Sequence, residues 1–369
     1  MLTIINEMER CAREKKRGIL ATVIRVEGSA YQKEGAKCFI AEDGELIGLL
    51  SGGCVENDII EHGKEVLQTE KPKKIYYDFR DEGDQIWGLG VGCNGAIEIF
   101  LELYDPKSHP EKCLLMKEAF TTSKSKIIAT VTEAGDESKI GEKWIFSVEK
   151  ECISFEQVGE ETNQLSRLKK RKSKLVTVDV NTKVFFDYVD PVPSLFIFGA
   201  GPDAVPLVKT VKNLGWKVKV IDHRPGFVNE KNFPLADELI CYQKGESPDV
   251  PINENAYAVV MSHHFIQDQI VLESLLKSAI PYIGVLGPVT RTKQLLQPIV
   301  NRYSIDELKL DRIYSPIGID IGAKHPEEIA LSIASELVNV HRDGNSLHLK
   351  HTKGESILAD DQIKSVLAY

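Results

Sequence analysis

A single stretch in the second half of the chain limits the fold more than any other. Ser194-Leu195-Phe196-Ile197-Phe198 is an unbroken apolar run, and Gly199-Ala200-Gly201-Pro202-Asp203-Ala204 follows it at once. A helical stretch then runs through Leu214, and Trp216 to Asp222 reads as a second strand ending in an acid. Strand, glycine turn, helix, strand and terminal acid form the βαβ unit of a doubly wound parallel sheet. Ala256–Met261 and Tyr282–Leu286 continue the strand pattern, with helical stretches between. Alternating strands and helices with apolar strands predict an α/β, Rossmann-like domain over 191–344.

The turn has the form G-x-G-x-x-A. Gly199 and Gly201 permit a tight turn and close approach of a phosphate, Ala204 opens the helix, and the helix N-terminus favours an anion. Asp222 is placed to accept hydrogen bonds from a ribose diol. Pro202 removes a backbone donor, and Arg224 suits a phosphate instead. The Ser262-His263-His264 run, with Asp268 one helical turn later, lies at the same sheet edge and supplies candidate acid/base groups. Ser315-Pro316-Ile317-Gly318 precedes a further helix start at His325-Pro326-Glu327-Glu328, and forms either a loop over a ligand or a cap on the sheet.

The first half has a different texture. After a helix over 1–18 come the strand Ile19–Val26, a hairpin around Glu42-Asp43-Gly44-Glu45, and a helical stripe from Val55 to Leu67. Ala96–Leu103 alternates apolar and acidic residues, which predicts a strand with one wet face. Ala21-Thr22-Val23 followed by Gly35-Ala36-Lys37 is echoed by Ala129-Thr130-Val131 followed by Gly141-Glu142-Lys143, and both halves end in Asp-Pro, at Asp105-Pro106 and Asp190-Pro191. The echo suggests a duplicated β unit inside a mixed α+β domain over 1–190. Residues 345–369 are polar and read as a tail. The basic run from Arg167 to Lys174 reads as a solvated loop or strand edge.

Two cysteines sit in glycine turns: Ser51-Gly52-Gly53-Cys54-Val55-Glu56 and Gly90-Val91-Gly92-Cys93-Asn94-Gly95. Each is open to three readings: a packing residue, a metal or cofactor ligand, or a nucleophile. The seven cysteines form no C-x-x-C pair, so zinc-ribbon and iron–sulfur ligand spacings are absent. No histidine adjoins Cys54 to make a protease-type pair. A disulfide framework does not suit a large chain without an export signal, so most of these thiols are expected as small buried hydrophobes. The net charge of -9 argues against nucleic acid or an anionic membrane as partner. No apolar run approaches a membrane span, and a cytoplasmic location is the default expectation.

The run Ala21-Thr22-Val23, Glu27-Gly28-Ser29-Ala30, Gly35-Ala36-Lys37, Asp43-Gly44 and Ser51-Gly52-Gly53-Cys54-Val55-Glu56 resembles the XdhC/CoxI family. The C-terminal half carries the resemblance too, in Phe198-Gly199-Ala200-Gly201, Asp222-His223-Arg224-Pro225, Ser262-His263-His264, Tyr282–Gly287, and Ser315-Pro316-Ile317-Gly318 through Ala330. The second cysteine turn departs from the family pattern, with Asn94 where many relatives have glycine. The resemblance implies a chaperone, without turnover of its own, that holds molybdenum cofactor during sulfuration and inserts it into a xanthine-dehydrogenase-type hydroxylase. It implies the apo-hydroxylase and a cofactor sulfurase as partners. On that reading Gly52, Gly53, Cys54 and Glu56 meet the cofactor. Cys54 faces the metal end, with Cys93 as a second candidate, and the Gly199–Ala204 turn, Asp222, Arg224, Ser315 and Gly318 meet the phosphate end. A soft thiolate suits a molybdenum–sulfur centre. The alternative is an NAD(P)-dependent oxidoreductase built on the Rossmann loop, with His263, His264 and Asp268 as its catalytic groups. The chain is too short, and its cysteines too scattered, for a molybdenum hydroxylase itself. A homodimer is expected through a strand edge of the N-terminal unit.

Overall fold

The structure is a computed structural model that describes residues 2–80, 95–121, 124–147, 172–250, 255–303 and 308–348. The chain divides into two compact units, Met1–Val192 and Pro193–Tyr369. Cys93, Cys152, most of the basic run 167–174 and the tail beyond 348 lie outside the described residues.

The first unit opens with α1 (Leu2–Glu14), β1 (Gly18–Gly28), β2 (Lys37–Ala41), β3 (Leu46–Gly48), α2 (Glu56–Thr69), β4 (Lys73–Asp78) and β5 (Gly95–Tyr104). These strands form one antiparallel sheet in the order β3-β2-β1-β5-β4. Next come α3 (Pro110–Thr121), β6 (Lys126–Glu133), β7 (Lys143–Ser147), β8 (Lys174–Asp179) and β9 (Thr182–Val189), whose strands form a second sheet in the order β7-β6-β9-β8. Side chains alternate along β1, so each face of the first sheet meets a different layer. Ile19, Ala21 and Val23 pack with Ile97, Ile99 and Leu101 on the face that receives Val55, Ile59 and Val66 at and along α2. Leu20, Thr22 and Ile24 point the other way, toward the second sheet.

The two sheets repeat each other in register. Thr22 stands opposite Lys37 on β2 and Phe100 on β5, and Leu20 stands opposite Glu102. Thr130 stands opposite Lys143 on β7 and Phe185 on β9, and Ile128 stands opposite Asp187. Each long strand has a bulge just after its Ala-Thr-Val, between Val23 and Arg25 and between Val131 and Glu133. The same turn closes both hairpins: Gly35 N–H donates to Val23 O at 2.9 Å, and Gly141 N–H donates to Val131 O at 2.8 Å.

One expectation fails here. The acids of β5 do not make a wet face: Glu102 is 2% exposed and pairs with Lys143 from the second sheet at 2.8 Å. Alternation alone does not reveal that another sheet will cover the polar face.

The second unit contains β10 (Ser194–Phe198), α4 (Ala204–Asn213), β11 (Lys217–Asp222), β12 (Glu238–Cys241), β13 (Ala256–Val260), α5 (Phe265–Leu276), β14 (Tyr282–Val285), α6 (Val289–Val300), β15 (Ile313–Tyr314) and α7 (Pro326–His341). All six strands are parallel, in the order β12-β11-β10-β13-β14-β15, the dinucleotide-type winding. α4 and α7 cover one face, and α5 and α6 cover the other. Gly199 sits where the chain leaves β10 hard against β13. Its φ is 138°, and a Cβ there would lie 2.5 Å from the Met261 carbonyl.

Candidate functional site

Cys54 lies between β3 and α2, on a loop organised by one carboxylate. Glu56 is the first residue of α2 and folds back over the turn before it. Its Oε1 accepts from Leu50 N–H at 3.1 Å and Ser51 N–H at 2.8 Å, and its Oε2 accepts from Gly53 N–H at 3.0 Å and Val55 N–H at 3.3 Å. The Ser51 hydroxyl also donates to Oε2. A helix start leaves N–H groups without intrahelical partners, and here Glu56 gathers the donors just upstream instead of a capping side chain at Val55. Burial works against its charge, but the Ser51 hydroxyl and the backbone donors outweigh burial and hold the carboxyl below the usual range. Gly52 and Gly53 both have left-handed φ, 79° and 105°. The half-buried Cys54 thiol joins Ala30, Tyr31, Leu50, Phe79 and Ile97 around a shallow depression.

Other thiols contrast with it. Burial pushes Cys38 up to about 12, and Cys11 and Cys113 up to about 11, as expected of packing residues. Cys241 is exposed. Among the described residues, no three His, Cys, Asp or Glu side chains cluster as metal ligands. No helix among them is long and apolar enough to cross a membrane.

In the second unit the parallel strands bring the C-terminal candidates to one edge. Gly199, Asp222, Ser262 and Ser315 each lie at the carboxyl end of a strand, where ligands of such sheets bind. Each has defined partners within the chain. Asp222 is 1% exposed, and all its acceptor positions are filled. Oδ1 accepts from Arg224 N–H and Nε, both at 2.9 Å. Oδ2 accepts from Ala200 N–H at 2.7 Å and Arg224 Nη2 at 2.6 Å. Burial opposes its ionisation, yet Arg224 and the Ala200 N–H hold it below the usual carboxylate range. With these four bonds Asp222 ties the glycine turn to β11. The Arg224 guanidinium lies over the Phe227 ring, 4.4 Å from its centroid. It remains a third exposed at the mouth of the edge.

Asp268 is likewise occupied. It is buried, accepts from the Ser262 hydroxyl, and forms an ion pair with Arg291 at 2.6 Å. It therefore holds the Ser262-His263-His264 turn in place. His264 caps α5, with its Nδ1 accepting from Gln267 N–H at 3.3 Å. His263 is exposed, has φ of 60°, and meets Asp203 Oδ2 at 2.8 Å. Asp203 thus places a carboxylate beside the glycine turn, where a dinucleotide would put phosphate. Ser315 Oγ and Thr292 Oγ1 share a hydrogen bond of 2.7 Å. Gly318 N–H donates to Glu336 Oε1 at 3.0 Å, which anchors that loop on α7 rather than over the edge.

Sequence reasoning missed Asp203, His223 and Arg291. His223 is buried against Tyr242 and His264, and burial moves it toward the neutral form. Its place beside Asp222 was visible. Arg291 carries no local motif and becomes relevant only when α6 packs beside Asp268.

The comparisons agree with this architecture. The profile of the XdhC and CoxI family matches residues 11–78, and that of the XdhC Rossmann domain matches residues 195–337. A protein of Bacillus subtilis (strain 168) named as a probable xanthine dehydrogenase subunit is 33% identical over 342 residues, which cover 89% of this chain and 94% of that one. The molybdenum cofactor insertion chaperone PaoD of Escherichia coli (strain K12) is 30% identical over 86 residues, 23% of this chain and 26% of that protein. A crystal structure described as a xanthine dehydrogenase from Bacillus halodurans superposes with a TM-score of 0.73 at 33% identity, over 93% of this chain and 97% of that one. With both profiles and a relative matched along nearly its whole length, the chain belongs to the XdhC and CoxI family.

Proposed function

We propose that this protein binds molybdenum cofactor as cargo, holds it for sulfuration by a cofactor sulfurase, and inserts it into a xanthine-dehydrogenase-type apo-hydroxylase. The observation that carries the reading is the Cys54 loop. A half-buried thiol stands on two left-handed glycines, in a turn pinned by four backbone donors to Glu56. Such a loop presents a soft donor in a fixed place, which suits a molybdenum–sulfur group. Glu56 acts through the loop as a positioning residue, not as a cofactor ligand. In the second unit, Arg224 is the cation best placed for the phosphate end, because Asp222 and Phe227 hold its guanidinium still. The name of the partial relative PaoD supports the cofactor, and the name of the Bacillus subtilis relative supports the hydroxylase.

Anaerobic purification followed by assay for bound pterin and molybdenum tests the proposal. Retained cofactor is expected, and its absence after expression beside an active cofactor pathway contradicts the reading. The nicotinamide alternative draws little from the edge geometry: Asp222 is saturated and Asp203 adds negative charge at the turn. Titration with NADH and NADPH is expected to show no tight binding and no hydride transfer.

A further inference from the structure

One cavity stands apart from both Cys54 and the Rossmann edge. It lies in the first unit between the two sheets, with a volume of about 420 Å³. That is within the roughly 300–1,000 Å³ of small-molecule sites. The repeat builds it: Thr22 and Thr130, Lys37 and Lys143, Phe100 and Phe185, and Glu102 and Asp187 line it as matched pairs. The ion pairs cross between copies. Lys37 of the first sheet binds Asp187 of the second, and Lys143 of the second binds Glu102 of the first.

The two halves differ in how their acids are satisfied. Asp187 is satisfied on both oxygens, by Lys37 and by the Ser173 hydroxyl at 2.8 Å. Glu102 Oε1 takes Lys143, but Oε2 is buried with no hydrogen-bond donor. A buried carboxylate oxygen without a partner is costly, and the cavity beside it is where a donor fits. The charges of Lys37, Lys143, Glu102 and Asp187 cancel in pairs, and the remaining lining cation, Lys112, is partly exposed to solvent. A charged guest would bring an uncompensated charge into a largely apolar space, so the guest is neutral. Burial, with Lys112 and Lys37 nearby, lowers the pKa of Lys143, and a cationic guest would add to that strain on its charge. Phe100, Phe120, Phe185 and Trp144 line the space, and aromatic walls suit a flat guest. Of the lining residues, Leu115 is exposed and Lys112, Trp144, Ile145 and Phe146 are partly so, which puts the mouth between α3 and the edge strand β7.

We propose that this cavity binds a neutral, planar, fused nitrogen heterocycle, of purine or pterin size, which donates a ring or amino N–H to Glu102 Oε2. The site is separate from the thiol loop. Thr22, Phe100 and Glu102 lie on one face of the first sheet, and Cys54 packs on the other with Ala21, Ile99 and Leu101.

The test uses the full chain and three probes: pterin followed by its fluorescence, hypoxanthine as competitor, and naphthalene as a flat control without N–H. Saturable pterin or hypoxanthine binding is expected, and competition between them tells which ring is preferred. The double variant Glu102→Leu/Lys143→Met removes the acceptor without stranding a charge. It is expected to weaken heterocycle binding by about tenfold or more while naphthalene binding holds. Leu115→Trp, an exposed position at the mouth, serves as a second variant and is expected to lower binding of all three probes. Cys54→Ala is expected to leave heterocycle binding unchanged, which separates this proposal from the cofactor reading. No saturable binding of either heterocycle up to millimolar concentration overturns the proposal. So does equal heterocycle affinity in the double variant, or loss of heterocycle binding in Cys54→Ala.

Discussion

At the scale of the residue, Glu56, Asp222 and Asp268 each hold a turn of a candidate site through bonds within the chain. Glu56 satisfies four backbone N–H groups and Ser51, Asp222 is clamped by Arg224 and Ala200, and Asp268 holds Ser262 and Arg291. Glu56→Ala strands buried donors and is expected to cost about 2–4 kcal/mol, read as a lower urea midpoint for the first unit. The pH dependence follows from the same bonds. The folded carboxyl of Glu56 sits below its unfolded value of about 4.3. Its contribution is therefore complete above that value and is lost as pH falls toward the folded pKa. Urea midpoints for wild type and Glu56→Gln are expected to converge as pH drops below about 4; a constant gap would show that the carboxylate charge is not what holds the loop. The sequence displayed Glu56 and Asp222 plainly but not their occupancy, because lone pairs are filled by residues whose positions only the fold decides.

At the scale of the element, the βαβ unit was legible because its signals are local. The apolar run, glycine turn and helix start lie next to one another in sequence, and the parallel winding follows from them. β12 and β15 were not legible: they are short edge strands whose residues are half-buried or exposed, so neither alternation nor an apolar run marks them. The close passage at Gly199 was legible as a glycine and is now explained by the Met261 carbonyl. Gly199→Ala is expected to cost about 1–3 kcal/mol from overpacking, with left-handed strain adding about 1–2. Thermal unfolding of the second unit checks it.

The two Ala-Thr-Val runs stand at matching register positions in their sheets, and the alternation along β5 cannot show its covered face because the covering sheet comes later in the chain. The crossed ion pairs make this testable. Lys143→Met alone leaves Glu102 buried and unpaired and is expected to cost about 3–5 kcal/mol, whereas Glu102→Leu/Lys143→Met is expected to be near neutral. Equal losses in the two variants, measured by urea denaturation, would show that the pair does not act as a unit.

At the scale of the whole molecule, the chain joins two units with different resources. The first offers a thiol on a rigid glycine loop and, on the opposite sheet face, a cavity built from matched strands. The second offers a Rossmann sheet whose phosphate turn has acquired Asp203 and whose acid at the end of β11 is spent on Arg224. The motif marks the winding from local sequence alone, while the bonding of its groups depends on residues that the fold brings in. The thiol is where the cofactor reading is most exposed to test. Molybdenum cofactor binding should be measured anaerobically for the parent chain and for Cys54→Ala, with circular dichroism to confirm that both are folded. The parent is expected to retain cofactor and the variant to bind it at least about tenfold more weakly, a loss of about 1.4 kcal/mol; equal affinity in the two proteins would contradict the reading.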